Sequence, residues 1–249
     1  MRLTLHFHPD RLVAGVPVLE AMARDGVYRS QFETGTGNGG LTAYPGGDRW
    51  RWESRIFAGA YDDEPPAARP KYGSLNFRHR PVGGSPRFGS SYLRLAKHTL
   101  DRSTFCYPDS VFQPTHFGVA SRLSALIRIA EADDTKDLLD DYIEAQVHGL
   151  VDLAQDIEAL VLDRCYRDTP VEAAANRLAC PVEWHDGYSL TTAELRRHPG
   201  YRGSEFVSLG VSLARDGRLD PRIIGDASRT GRYDEQALKR VWHYVARFG

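Results

Sequence analysis

Two histidines one residue apart stand near the start of the chain, in "LHFHPDR", where His6 and His8 precede Asp10 and Arg11. In an extended segment residues i and i+2 share a face, so both imidazoles would point the same way. Two neutral imidazoles on one face form half of a divalent-metal site, or donors for a substrate, or a polar face held by structural hydrogen bonds. A metal-dependent hydrolase would need Asp10 with later ligands, and His116, His148 and His185 are the histidines available. None of them sits in a paired Asp/His pattern, and no metal is expected.

A second constellation is "YIEAQVHG". Alternation places Glu144, Gln146 and His148 on one face of a strand and Ile143, Ala145 and Val147 on the other. Carboxylate, amide and imidazole in one row are costly to bury without partners, so that face either meets water or lines a pocket. In "FGSSYLRL", Ser90 and Tyr92 share a face, but no Gly-x-Ser-x-Gly elbow surrounds either serine, which argues against a serine hydrolase. The segment "YRSQFETGTGNGG" offers Arg29, Ser30, Gln31, Thr34 and Asn38 as donors beside Gly35, Gly37, Gly39 and Gly40. Those glycines permit positive φ and close approach to a flat or charged ligand. The segment follows a helix and lacks a P-loop lysine, so it fits neither a P-loop nor a Rossmann turn. A dinucleotide is the expected ligand.

The elements that must carry these residues can be read from pattern. "RLTLHF", "KYGSLNF", "FGSSYLRLAK", "RSTFCY", "DYIEAQVHG" and "CPVEWH" read as strands. "AGVPVLEAMARDG", with Gly26 as its stop, "DRWRWESRIFAGAYDD", "GVASRLSALIRIAE" and "YDEQALKRVWHYVARFG" read as helices. "DIEALVLD" reads as helix turning into strand, and the glycine-rich segment as loop. The expected fold is one α+β domain over 1–249, with a split antiparallel or mixed β core and flanking helices. Residues 181–249 would form a C-terminal extension packed on it. No repeat or low-complexity tract interrupts the chain.

Composition sets outer limits. Of 249 residues, 41% are hydrophobic and 26% charged, which is ordinary for a folded soluble domain. A net charge of −1 draws the chain to neither nucleic acid nor lipid as a whole, although its cations are nearly all arginine. Cys106, Cys165 and Cys180 have no metal spacing and leave an odd one over, which fits a reducing cytoplasm. The opening residues are too polar for a signal peptide and no run suits a membrane span. Export by a machinery that reads no amino-terminal signal stays open.

Taken in chain order, these pieces resemble the mono-ADP-ribosyltransferase fold of bacterial toxins and polymerase-type relatives. The likeness lies in "LHFH" with "YRS", then "FGSSYLRL", then "EAQVHG". "RPKYGSLNF", "RFGSSYLRL", "RSTFCYPDS" and "EAQVHG" also look like a transferase-like domain of bacterial polymorphic toxins. Nearly the whole chain looks like an uncharacterised bacterial domain family carrying "LHFHPDR", "YRSQFETG" and a closing "VWHYVARFG". The resemblance implies NAD as substrate, with transfer to a protein, nucleic acid, small molecule or water. It assigns catalysis to Glu144, with Gln146 orienting the carboxylate or the acceptor. His6 or His8 would hold the adenosine ribose and Arg11 or Arg29 would lie near the pyrophosphate. Gln31, Thr34, Gly35 and the backbone of "ETGTG" would meet the dinucleotide. Tyr92 would stack on the nicotinamide, braced by Ser90. One departure is plain. Arginine-specific members carry Glu-x-Glu, whereas this chain reads Glu144-Ala145-Gln146, closer to the single glutamate of the histidine-first branch. A metal-dependent hydrolase on His6 and His8, and a nucleotide-binding module without chemistry, are the rival readings.

Overall fold

The structure, a computed structural model, describes residues 1–35 and 42–249. Its strands are β1 Leu3–Phe7, β2 Leu12–Val13, β3 Val16–Pro17, β4 Lys71–Leu75, β5 Ser91–Leu95 and β6 Ser103–Tyr107. They continue with β7 His116–Val119, β8 Ile143–Val147, β9 Ile157–Asp163, β10 Val182–His185, β11 Leu190–Thr191 and β12 Arg218–Leu219. The α-helices are α1 Val18–Asp25, α2 Gln31–Thr34, α3 Asp48–Ile56, α4 Leu123–Ala132 and α5 Pro170–Ala175. In the second half follow α6 Thr192–Leu195, α7 Ser204–Leu213, α8 Pro221–Arg229 and α9 Glu235–Phe248. No helix among the described residues is long and apolar enough to cross a membrane.

Eight strands form one mixed sheet in the order β10-β9-β5-β1-β4-β8-β6-β7. All neighbours run antiparallel except β10, which lies parallel to β9. The fold is thus α+β in a single domain, with helices flanking a large mixed sheet. Alternation decides which face each residue takes. Leu3, Leu5, Phe7, Leu75, Leu93, Leu95, Phe105, Ile143, Ala145 and Val147 enter one apolar cluster with Leu19 and Met22 of α1 and Leu126 and Ala130 of α4. Thr4, His6, Ser74, Tyr92, Glu144 and Gln146 occupy the alternate positions and are buried as well. The polar face is therefore roofed, not washed by solvent.

A split in this sheet makes room for a ligand. β1 and β4 are laddered only at Leu3↔Leu75 and Thr4↔Ser74, while β1 stays paired with β5 from Thr4 to Phe7. A Cβ on Gly73 would stand 2.6 Å from both Leu5 Cδ2 and the Thr4 carbonyl, so only glycine permits the strands to close there. The turn after Pro81 then folds over His6. Gly83 has φ +86°, and a Cβ there would fall 2.3 Å from His6 Nε2.

The second half builds its own apolar cluster from Tyr188, Leu190, Leu195, Leu219, Ile224, Leu238, Val241, Trp242 and Tyr244. Its long helix α9 starts at the N-cap Asp234, whose side chain accepts from the Ala237 N–H. Leu238, Val241, Trp242 and Val245 recur at helical spacing and supply its buried stripe. Trp242 joins the two halves: its indole N–H is shared between the carbonyls of Pro86, 3.0 Å away, and Arg87, 3.2 Å away. The first strand of the segment 181–249, β10, is itself an edge strand of the main sheet.

Several local expectations need correction. "DIEALVLD" is strand from Ile157 to its end with no helical part, because β9 is buried on both faces and so reads as an unbroken apolar run. The glycine-rich segment begins as a helix: Ser30 and Glu33 form a reciprocal capping box, and Gly35 ends α2 in the left-handed region at φ 62°. "GVASRLSALIRIAE" opens as strand β7 before it turns helical.

Candidate functional site

The parted strands open into a cavity of about 340 Å³, lined by His6, His8, Tyr72, Asp109, Glu144 and neighbours from α1, α2, α3 and α9. Arg11, Arg29, Arg49, Arg87, Lys239 and Arg240 line it against the carboxylates Asp25, Asp109 and Glu144. Cations outnumber anions two to one in a chain whose net charge is −1, so the cavity favours an anionic ligand.

Glu144 is 4% exposed and its oxygens are fixed by neighbours on three elements. Oε2 accepts from the Ser110 hydroxyl at 2.7 Å, and Oε1 from the Gln146 amide at 2.8 Å. The guanidinium of Arg49 stands 3.9 Å from Oε1 and donates to the Ser110 hydroxyl at 3.0 Å. Arg49 is held in turn over the Tyr72 ring, 3.8 Å from its centroid. The Tyr72 hydroxyl donates to Glu53, which also receives the buried Arg69 guanidinium at 2.7 Å.

Behind Gln146 runs a chain of hydrogen bonds whose direction is set. The Thr104 hydroxyl donates to Gln146 Oε1 at 3.0 Å, which turns the amide nitrogen toward Glu144. Thr104 therefore accepts from His148 Nε2–H at 2.9 Å. His148 Nδ1 then carries no proton and accepts from the Tyr61 hydroxyl at 2.6 Å. Burial, and then the Arg102 charge, holds the His148 pKa below its ordinary value, so the ring is neutral as this chain requires. Every donor from Tyr61 to Gln146 points at Glu144.

Asp109 is the second buried acid of the cavity, 5% exposed. Burial first, and the neighbouring Glu144 carboxylate second, push its pKa up to about 7, against the pull of Arg49 and Arg87. One carboxyl is thus held in a fixed cage while its neighbour exchanges a proton near neutrality.

The two histidines differ more than their sequence suggests. His6 Nδ1–H donates to the Gly89 carbonyl at 3.1 Å, and its Nε2 accepts from the Ser85 N–H at 3.2 Å. Both nitrogens are spent, and burial lowers the ring's pKa to about 3, so His6 is a neutral structural imidazole on the cavity wall. A metal there would have to break both bonds, and among the described residues no three His, Cys, Asp or Glu side chains group as metal ligands. The His8 ring, packed edge-on to Trp242 at 5.0 Å, makes no hydrogen bond among the described residues. It is the imidazole able to meet a ligand.

The remaining expected residues divide between cavity and scaffold. Arg11, Arg29, Gln31 and Thr34 line the cavity. Arg29 is held at 2.9 Å by Asp25, and Arg11 lies 3.2 Å from Glu235. Gln146 stands behind Glu144 and is not a lining residue. Gly35 caps α2. Ser90 and Tyr92 are buried away from the cavity. Tyr92 packs on His6 at 5.1 Å and donates to the Pro81 carbonyl at 2.8 Å, which commits both its ring and its hydroxyl. Thr36, Gly37, Asn38, Gly39 and Gly40 lie outside the described residues.

Sequence reasoning missed Arg49, Asp109, Arg87 and the α9 trio Lys239, Arg240 and His243. The first two stand in "DRWRWE" and "YPDS", where a charge beside aromatic or turn residues reads as ordinary surface. The α9 trio had a usable signal, a basic pair followed at helical spacing by histidine within an otherwise apolar stripe.

No curated protein matches the chain. A family model described as "Protein of unknown function (DUF3626)" matches residues 2–137 and 122–248. The two matches together span almost the whole length, and the chain belongs to that family.

Proposed function

We propose that the chain is an NAD-consuming ADP-ribosyltransferase or NAD glycohydrolase. The observation that carries this reading is Glu144: a buried carboxylate caged by Ser110, Gln146 and Arg49, in a cavity whose other charges are mostly cationic. In the proposed reaction the bond between nicotinamide and ribose C1′ breaks. Its electron pair passes to the pyridinium nitrogen, and neutral nicotinamide leaves. The positive charge developing on the ribose is stabilised by Glu144, whose preset cage needs no reorganisation. A hydroxyl or water then attacks C1′, and its proton passes to Asp109. A base with a pKa near neutrality suits that step. His8 and the lining arginines bind the dinucleotide.

Incubation with NAD tests this directly. Chromatography is expected to show released nicotinamide, insensitive to chelators. NAD bound without release would favour a binding module instead, and chelator-sensitive hydrolysis a metal enzyme. The base role gives a pH signature. Activity is expected to rise tenfold per pH unit up to about 7, where Asp109 becomes ionised, and then to level. In Asp109→Asn that rising limb should vanish together with most of the rate. A limb that survives the substitution would remove Asp109 from the mechanism.

Gln146 acts through Glu144 and is a positioning residue. Gln146→Glu places a like charge within hydrogen-bond reach of Glu144, which raises carboxyl pKa values. The added carboxylate joins Glu144 in raising Asp109, so the acid limb that Asp109 sets is expected to move upward, whereas Gln146→Leu lowers the rate without moving it. An unmoved limb in Gln146→Glu would show that charge placed behind Glu144 does not reach Asp109.

A further inference from the structure

The α9 end of the cavity carries two cations that form no ion pair among the described residues. Lys239 and Arg240 line it without an ion pair to any described carboxylate, whereas Arg87 reaches Asp140 and Arg11 reaches Glu235. His243, one helical turn beyond Lys239, is 1% exposed, lines the same cavity, and has no hydrogen-bond partner on either ring nitrogen among the described residues. A buried imidazole with both nitrogens idle is costly. A side recess of about 30 Å³ continues from this end, sharing His8, Arg11, Arg87 and Lys239.

We propose that this end of the cavity is a diphosphate-binding subsite. Lys239, Arg240, Arg87 and Arg11 would neutralise the phosphoryl oxygens, and His243 and His8 would hydrogen-bond to them. Successive residues of a helix point about 100° apart, so Lys239 and Arg240 diverge and reach two adjacent phosphoryl groups better than one. His243 lies at i+4 from the first and i+3 from the second, beside both. The cations come from three segments, the stretch after β1, the turn at 86–88 and α9, and so border the ligand from several sides. Burial first, then Arg87, Arg240 and Arg11, lower the Lys239 pKa to about 8, and an anion set among these cations would relieve that crowding. The subsite does not depend on NAD chemistry, since inorganic pyrophosphate, a nucleoside diphosphate and a dinucleotide share the recognised group. If the proposed reaction also holds, the same subsite grips the dinucleotide's diphosphate, beside Arg11 and not Arg29, the two arginines that the resemblance offered for it.

Titration calorimetry with inorganic pyrophosphate, ADP and NAD, on wild type and on Lys239→Ala/Arg240→Ala, tests the subsite. Pyrophosphate is expected to bind wild type and to lose at least roughly tenfold in affinity in the variant, with ADP following the same order. Pyrophosphate that fails to bind wild type, or binds both proteins equally, overturns the proposal. Arg240 is exposed, so Arg240→Ala alone gives the same comparison should the double variant not fold. The two readings separate cleanly. Pyrophosphate binding with no nicotinamide released leaves the subsite standing and removes the reaction. Nicotinamide release with no pyrophosphate affinity does the reverse.

Discussion

Glu144→Gln is expected to lower nicotinamide release by roughly 10²–10³-fold, about 2.7–4 kcal/mol of transition-state stabilisation, the loss seen when one preorganised electrostatic group is removed. The substitution keeps shape and volume, so the cavity stays formed. Its amide oxygen can still accept from Ser110, but its NH2 group would face the Gln146 NH2, donor against donor. The Arg49 guanidinium would lose its carboxylate while Tyr72 and Ser110 still hold it. NAD affinity should change far less than turnover, because the cationic lining is untouched. Equal rates of nicotinamide release in wild type and variant, measured by chromatography at matched protein concentration, would end the catalytic assignment.

The largest effect on stability is expected at Trp242. Trp242→Ala should cost about 3–5 kcal/mol, the range for deleting a fully buried large aromatic side chain. The indole touches Tyr188 edge-on at 5.2 Å and His8 at 5.0 Å, and its N–H satisfies two carbonyls of the turn that presents Arg87. Its loss would therefore open a void and free the turn together. Trp242→Phe keeps an aromatic ring but abandons both carbonyls, and about 1–3 kcal/mol is expected for that. Urea unfolding monitored by far-ultraviolet circular dichroism reads both variants. A midpoint unchanged in Trp242→Ala would show that the two halves do not depend on this joint.

Most of the sheet was legible because alternation is a local signal. β1, β4, β5, β6, β8 and β10 all fall inside segments whose apolar residues recur at every second place. β9 was misread because both its faces are covered, which erases the alternation. α7 and α8 went unread: the first lacks a sharp polar–apolar division, whereas the second carried usable start signals, Asp220 as N-cap and Pro221 in the first turn, before Gly225 interrupts it. At the candidate site, Glu144, His8, Arg11, Arg29, Gln31 and Thr34 could be singled out by type and neighbourhood, and all of them line one cavity. That His6 is spent on Gly89 and Ser85, and Tyr92 on His6 and Pro81, depends on a turn folding back across the sheet. No spacing along the chain encodes such a contact. The same holds for the gathering of cations, since a whole-chain charge of −1 averages a basic cavity against acidic surface.

The row of donors from Tyr61 to Glu144 has a consequence for protons. Hydroxyls and an imidazole can hand protons along by hopping, but a carboxamide has none to spare at neutral pH. Gln146 therefore works as an insulator: polarisation crosses it and net charge does not. The acid is electrically supported from the rear and closed to exchange from that side, so whatever proton it gains or loses must come through the open mouth.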